Sequence, residues 1–203
     1  MSKVFWGMEH LNENMLCAVK CELTGPDPTR HELVQVAILP LNHMLEIHQF
    51  IPAFDMKMKP EDLDSIDFRL CRVGKADLAR TLLSGFDRDK VADLFIHWYQ
   101  RIEQKERKRI IPLAHGWPGE RALLVNWLGY DVFRDIFSED YRDTLIAAHY
   151  VNDRQCCKAE PCVFNKQNLT WLAKKLNVEQ LQSGSAMSDC LTMAAVYKRM
   201  LQL

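Results

Sequence analysis

No stretch of this 203-residue chain is apolar over the length needed to cross a bilayer. Its first residues, Met1-Ser2-Lys3-Val4-Phe5-Trp6, carry no apolar core of the kind that a secretory signal needs. The two absences predict a protein with no membrane role that works in the cytoplasm. Net charge is nearly absent too: 26 Lys and Arg against 27 Asp and Glu leave −1. That excludes a whole-surface electrostatic grip on nucleic acid, though not a local basic groove. Repeats and low-complexity linkers are also missing, which predicts a single domain over residues 1–203, with 1–14 as an N-terminal extension. Cysteines number seven, at 17, 21, 71, 156, 157, 162 and 190. The odd count, with several inside apolar runs, fits reduced thiols better than a disulfide framework.

What is present is a core's worth of apolar residues, 48% of the chain, in patterns that name their own elements. Met15 to Cys21 predicts a buried strand, ended by the turn signal Gly25-Pro26-Asp27-Pro28. Leu33 to Leu41 is nearly continuous in apolarity, as a central strand requires. Met44 to Ile51 predicts a third strand, paired to the second through Leu41-Asn42-His43. Asp87 or Asp89 can cap a helix whose apolar face is Val91, Leu94, Phe95, Trp98 and Ile102. Ile110 to Ala114 predicts a short strand, and Glu120 to Leu128, Thr144 to Tyr150, Asn168 to Leu176 and Met187 to Leu201 predict helices. Three early strands, then helices alternating with shorter strands, predict an α/β fold with a mixed sheet flanked by helices.

Four short segments carry the chemistry. Lys20-Cys21-Glu22-Leu23-Thr24-Gly25 closes the first strand. Because side chains alternate along a strand, positions 20 and 22 share a face, the arrangement by which two carboxylates can share a metal. His115-Gly116-Trp117-Pro118-Gly119-Glu120 follows a later strand, Asp143-Thr144-Leu145 opens a helix, and Asp189 lies early on the last one. Together these pieces resemble the motifs of the DnaQ-like (DEDD-type) 3'–5' exonuclease superfamily, and their order spans most of the chain. The resemblance implies an RNase H-like fold of the DnaQ exonuclease type. It also implies Mg²⁺ or Mn²⁺ as cofactor in an active member, and a single-stranded nucleic-acid 3' end as substrate. In such a site two hard cations held by carboxylates drive in-line phosphodiester hydrolysis, and a His or Tyr takes the proton from the attacking water.

This chain departs from that pattern at three points. Lys20 stands where the resemblance places the first metal-binding Asp. Glu120 stands for the Asp of the second motif. The base position holds Gly184 where a His is expected, and Ser185 where the Tyr variant has its base. Exchanging Asp for Lys changes the charge by two units beside the metal, and one unit charge at about 4 Å is worth roughly 4 kcal/mol at an effective dielectric of 20. The Lys20 ammonium is therefore expected to occupy or neutralise the former metal site and to act as counter-ion for Glu22, Glu120 and Asp189. Those three carboxylates are the residues expected to hold any metal.

The other candidates each have a functional and a plainer reading. The resemblance places Leu23 and Thr24 where the family contacts the terminal nucleotide; the same residues also close the strand. Trp117 can stack on a nucleobase or serve as a packed aromatic. The resemblance makes His115 a structural residue of the second motif, before a turn; its functional readings are a substrate contact and, with Asp143, a stand-in base for a rearranged site. Cys156, Cys157 and Cys162, with His149 nearby, fall in an expected loop insertion over 151–166; their spacing is unlike that of a zinc knuckle, and free thiols are the alternative to a zinc site. The run Lys105-Glu106-Arg107-Lys108-Arg109 suits a solvated helix end or a phosphate contact. Three functions fit these residues. The first is an impaired exonuclease-like protein that binds nucleic-acid ends or a protein partner, with no cofactor. The second is an active metal-dependent 3'–5' exonuclease on single-stranded DNA or RNA with a rearranged site. The third is a protein-binding scaffold.

Overall fold

The structure, a computed structural model, describes residues 11, 14–27, 29–69, 71, 73, 75–106, 109–180 and 185–203. Most of the expected N-terminal extension, Gly184 and the side chains of 105–108 lie outside the described residues.

Five strands form one sheet in the order β3-β2-β1-β4-β5. The long central strands are those with the most continuous apolarity. β1 (Met15–Leu23) pairs antiparallel with β2 (Leu33–Pro40) and parallel with β4 (Ile110–Ala114), so it is covered on both edges and both faces. β3 (Phe54–Lys57) borders β2, and the two-residue β5 (Arg142–Asp143) borders β4.

The third strand is not where the apolar pattern predicts it. Met44 to Ile51 turns back instead: the Asn42 side chain accepts the amides of Met44 (2.8 Å) and Glu46 (3.0 Å), and Leu45 takes a left-handed φ of 60°. A side-chain acceptor two residues upstream competes with the ladder, and here it wins. Met44, Ile47 and Phe50 are left exposed, and the pairing passes to Phe54, opposite Ile38.

Helices cover both faces. After α1 (Lys75–Ser84), α2 (Arg88–Glu106) starts directly behind Asp87 and carries Asp89 in its first turn. Its buried stripe, Val91, Phe95, Tyr99 and Ile102, packs on one face of the sheet with the odd-numbered residues of β1. Phe95 is the hub, with ring centroids 5.3 Å from Phe54, 5.5 Å from Trp127 and 6.1 Å from Phe137. α3 (Trp117–Leu128) and α4 (Tyr130–Ile136) complete that layer.

On the other face, α7 (Ala186–Met200) lays Ala186, Cys190 and Met193 against Leu16 and Ala18 of β1 and Ala37 and Leu39 of β2. α5 (Thr144–Cys157) and α6 (Leu169–Lys175) back α7 through Val151, Leu172 and Val196. Residues 151–157, expected in a loop, continue α5, so the irregular Cys-containing stretch begins only at Lys158. Among the described residues no helix is long and apolar enough to cross a membrane.

Candidate functional site

The C-terminal end of β1 and the N-terminal end of α3 meet at Lys20. Its Nζ donates to Glu120 Oε1 at 2.9 Å and to the Cys21 carbonyl, and lies 3.8 Å from Glu22 Oε1. Glu120 is fixed from its other oxygen, which accepts the Cys21 amide at 2.7 Å. It sits in the first turn of α3, where the helix dipole favours a carboxylate. All three side chains are largely shielded from water: 14% exposed for Lys20, 3% for Glu22 and 8% for Glu120. Burial alone would lower the Lys20 pKa. Glu120, and after it Glu22, outweigh that burial and hold the ammonium above the ordinary lysine range.

Asp189 stands in the first turn of α7, 8% exposed. Its charge, with those of Glu120, Lys20 and Asp55, bears on the buried Cys190 thiol, whose pKa burial in the first place pushes up. α7 is steered here by Gln35, a buried polar residue of β2 that the apolar pattern gave no reason to single out. Gln35 Nε2 donates to Asp55 at 2.7 Å, and its Oε1 accepts the Ala186 amide at 3.5 Å. The only sequence signal was a lone amide inside an otherwise apolar strand.

Three candidates turn out to be structural. Thr24 is fully buried: its hydroxyl accepts the Glu32 amide at 2.9 Å, its amide donates to the Glu32 carbonyl and its carbonyl accepts from Asp67, so it pins the β1–β2 turn instead of facing a ligand. Trp117 is 3% exposed and opens α3, packed among Phe133, Phe137 and Tyr141 at 6.2 to 6.4 Å between centroids. With its ring in the core, it is unsuited to stack on a base. Asp143 caps α5 through the Leu145 amide (2.8 Å) and also accepts the amides of Gly116 (3.1 Å) and Trp117 (2.7 Å). A carboxylate with its lone pairs so committed is a brace between two elements.

His115 is half-buried. Its Nδ1 lies 2.8 Å from Thr144 Oγ1, which is also 3.2 Å from the Ala114 carbonyl. Burial depresses its pKa, and the nearby Asp143 and Asp189 offset this in part. Leu23 remains on the surface of an open cleft of about 370 Å³, lined also by Lys20, Glu22, Pro26, Glu120 and Leu123.

The divalent metals that the resemblance implies do not fit this donor set as it is arranged. The ammonium touches one of the carboxylates expected to hold metal and stands at ion-pair distance from a second. Among the described residues no group of three or more His, Cys, Asp or Glu side chains is placed to hold a metal ion, and that includes the cysteines at 156, 157 and 162. The described cysteines are all free thiols.

No family model matches the sequence, and no curated protein matches it either. Solved structures do. Cell-death related nuclease 4 is 16% identical with a TM-score of 0.63, over 93% of this chain and 64% of that one. The nuclease domain of 3'hExo, a DEDDh family member bound to rAMP, is 18% identical with a TM-score of 0.61, over 99% and 94%. E. coli exonuclease I in complex with a dT13 oligonucleotide is 13% identical with a TM-score of 0.65, over 91% and 40%. This chain thus spans less than two thirds of the first and last of these. At such identities the likeness shows the fold alone, and the fold is that of the DnaQ-like, RNase H-like 3'–5' exonucleases.

Proposed function

We propose that this chain, built on the DnaQ-type exonuclease fold, is a catalytically impaired exonuclease-like protein whose remaining task is to bind, with nucleic-acid 3' ends as the favoured ligand. One observation carries the reading: the Lys20 Nζ stands 2.9 Å from Glu120 and 3.8 Å from Glu22, which on this reading puts a protein cation where catalysis would need a divalent one. Glu22, Glu120 and Asp189 are on this reading the remnant of a metal cluster, and Mg²⁺ or Mn²⁺ has lost its place among them. Neither stand-in base compensates. Asp143 is committed to backbone amides, and His115 Nδ1 is engaged with Thr144 Oγ1.

Binding is supported by the cleft. Leu23, Pro26 and Leu123 give it apolar walls at the end of β1, room for a base or a terminal sugar. Solved relatives of the same fold hold rAMP and an oligonucleotide. The free thiols fit a reducing compartment, the cytoplasm.

The test is degradation of end-labelled single-stranded DNA and RNA in Mg²⁺ or Mn²⁺, with and without chelator, alongside a binding titration over a range of salt. The expected result is no chelator-sensitive cleavage, together with binding that weakens as salt rises, as phosphate contacts require. Chelator-sensitive cleavage by the protein as it stands would overturn the impaired reading. No binding at any salt would move the role to a protein partner.

A further inference from the structure

Three exposed thiols gather where α5 ends: Cys156 and Cys157 close the helix, and Cys162 follows the turn. That turn folds the chain back on itself. Ala159 takes a left-handed φ of 58°, and the amides of Ala159 and Glu160 donate to the carbonyls of Cys156 (2.9 Å) and Gln155 (3.0 Å). One turn further up the helix, Asn152 clamps the returning chain: its Nδ2 donates to the Phe164 carbonyl at 2.7 Å and its Oδ1 accepts the Phe164 amide at 2.9 Å. Asn152 and Phe164 are both buried, so the clamp is shielded from competing water.

The consequence is a selected pair. Cys162 Sγ lies 3.9 Å from Cys156 Sγ, although Cys157 is one residue nearer in sequence. Neighbouring residues on a helix project about 100° apart, so only one of the two can be aimed at the returning chain.

We propose that Cys156 and Cys162 form a preorganised dithiol site that a low-molecular-weight disulfide of the glutathione class oxidises to an intramolecular disulfide. One thiol loses its proton, and the thiolate attacks a sulfur of the external disulfide, expelling one glutathione thiolate. The second cysteine, deprotonated in turn, attacks the protein sulfur of the mixed disulfide and expels the other. The protein gives up two electrons and two protons, and the oxidant leaves as two thiols. The sulfurs must close from 3.9 Å to about 2.05 Å, a movement that rotation about χ1 of two exposed side chains supplies. The buried thiols of Cys17, Cys21 and Cys190, whose pKa values burial raises, take no part.

The experiment incubates the full chain in mixtures of reduced and oxidised glutathione, blocks the remaining thiols and maps the products by mass spectrometry. The expected product is lighter by two hydrogens, joined Cys156 to Cys162, and in at least about tenfold excess over glutathione adducts, as a high effective concentration requires. Cys157→Ser should leave that yield unchanged, and Cys162→Ser should convert it to a stable glutathione adduct. A Cys157–Cys162 bond as the main product would overturn the proposal. So would adducts equal to the internal disulfide, or no oxidation at a large excess of oxidised glutathione.

Discussion

At Lys20 two opposing effects meet, and their balance decides what the site is. Burial strips water from the ammonium, and the Glu120 and Glu22 carboxylates more than restore what is lost, since the pKa ends above the ordinary range. A group raised in this way contributes stability that is fully present below the unfolded-state pKa of about 10.4 and lost as pH climbs through the folded-state value. The urea midpoint of the protein should therefore hold an offset from that of Lys20→Met that is constant from neutral pH to about pH 10 and shrinks above it. An offset that shrinks already near neutral pH would mean that the ammonium is not held by the acids. Glu120→Gln keeps an acceptor for the Cys21 amide and removes the charge. Breaking a buried pair by removing one partner costs about 3 kcal/mol or more, and a loss of that size is expected in equilibrium unfolding. That positions 20 and 22 share a strand face was legible from alternation alone. That Glu120 reaches Lys20 across the chain was legible only through the resemblance of the second motif. The burial of Thr24 was not legible, because residue type does not say what a side chain touches, while a packed aromatic was one of the two readings of Trp117.

Among the elements, the β4–α3 turn depends on a brace from outside itself. Gly116, at a φ of 89°, leads into α3, and the amides of Gly116 and Trp117 end on Asp143, which also caps α5. Asp143→Ala leaves those buried donors unmet at about 1–3 kcal/mol each and removes a cap worth about 1 kcal/mol. A loss of about 3 kcal/mol in urea unfolding is expected, with Asp143→Asn in between. A neutral Asp143→Ala would show that the turn stands without the brace. The elements with long apolar patterns, β1, β2, α2 and α7, were legible because burial on a continuous face leaves a period in the sequence. β3 was displaced because Asn42 and Leu45 make a turn inside a strand-like run. β5 is two residues long, too short to carry any period.

Over the whole molecule, the sheet brings the end of β1 and the start of α3 together around Lys20, the place where the proposed function sets the remnant of a metal cluster. α7 packs across β1 and β2 and carries Asp189, and α3 carries Glu120 to the same end of β1. The scaffold that positions the acids is intact on this account, and what has changed is the cation they hold. The most direct measurement is thermal unfolding of the protein and of Lys20→Asp, each in chelator and in a Mn²⁺ titration. The account predicts that Mn²⁺ leaves the protein unchanged, that Lys20→Asp is destabilised in chelator, and that Mn²⁺ restores it by about 2.7 kcal/mol at a hundredfold excess over the dissociation constant. Equal stabilisation of both proteins by Mn²⁺ would contradict it, because the lysine would then not be filling the metal's place.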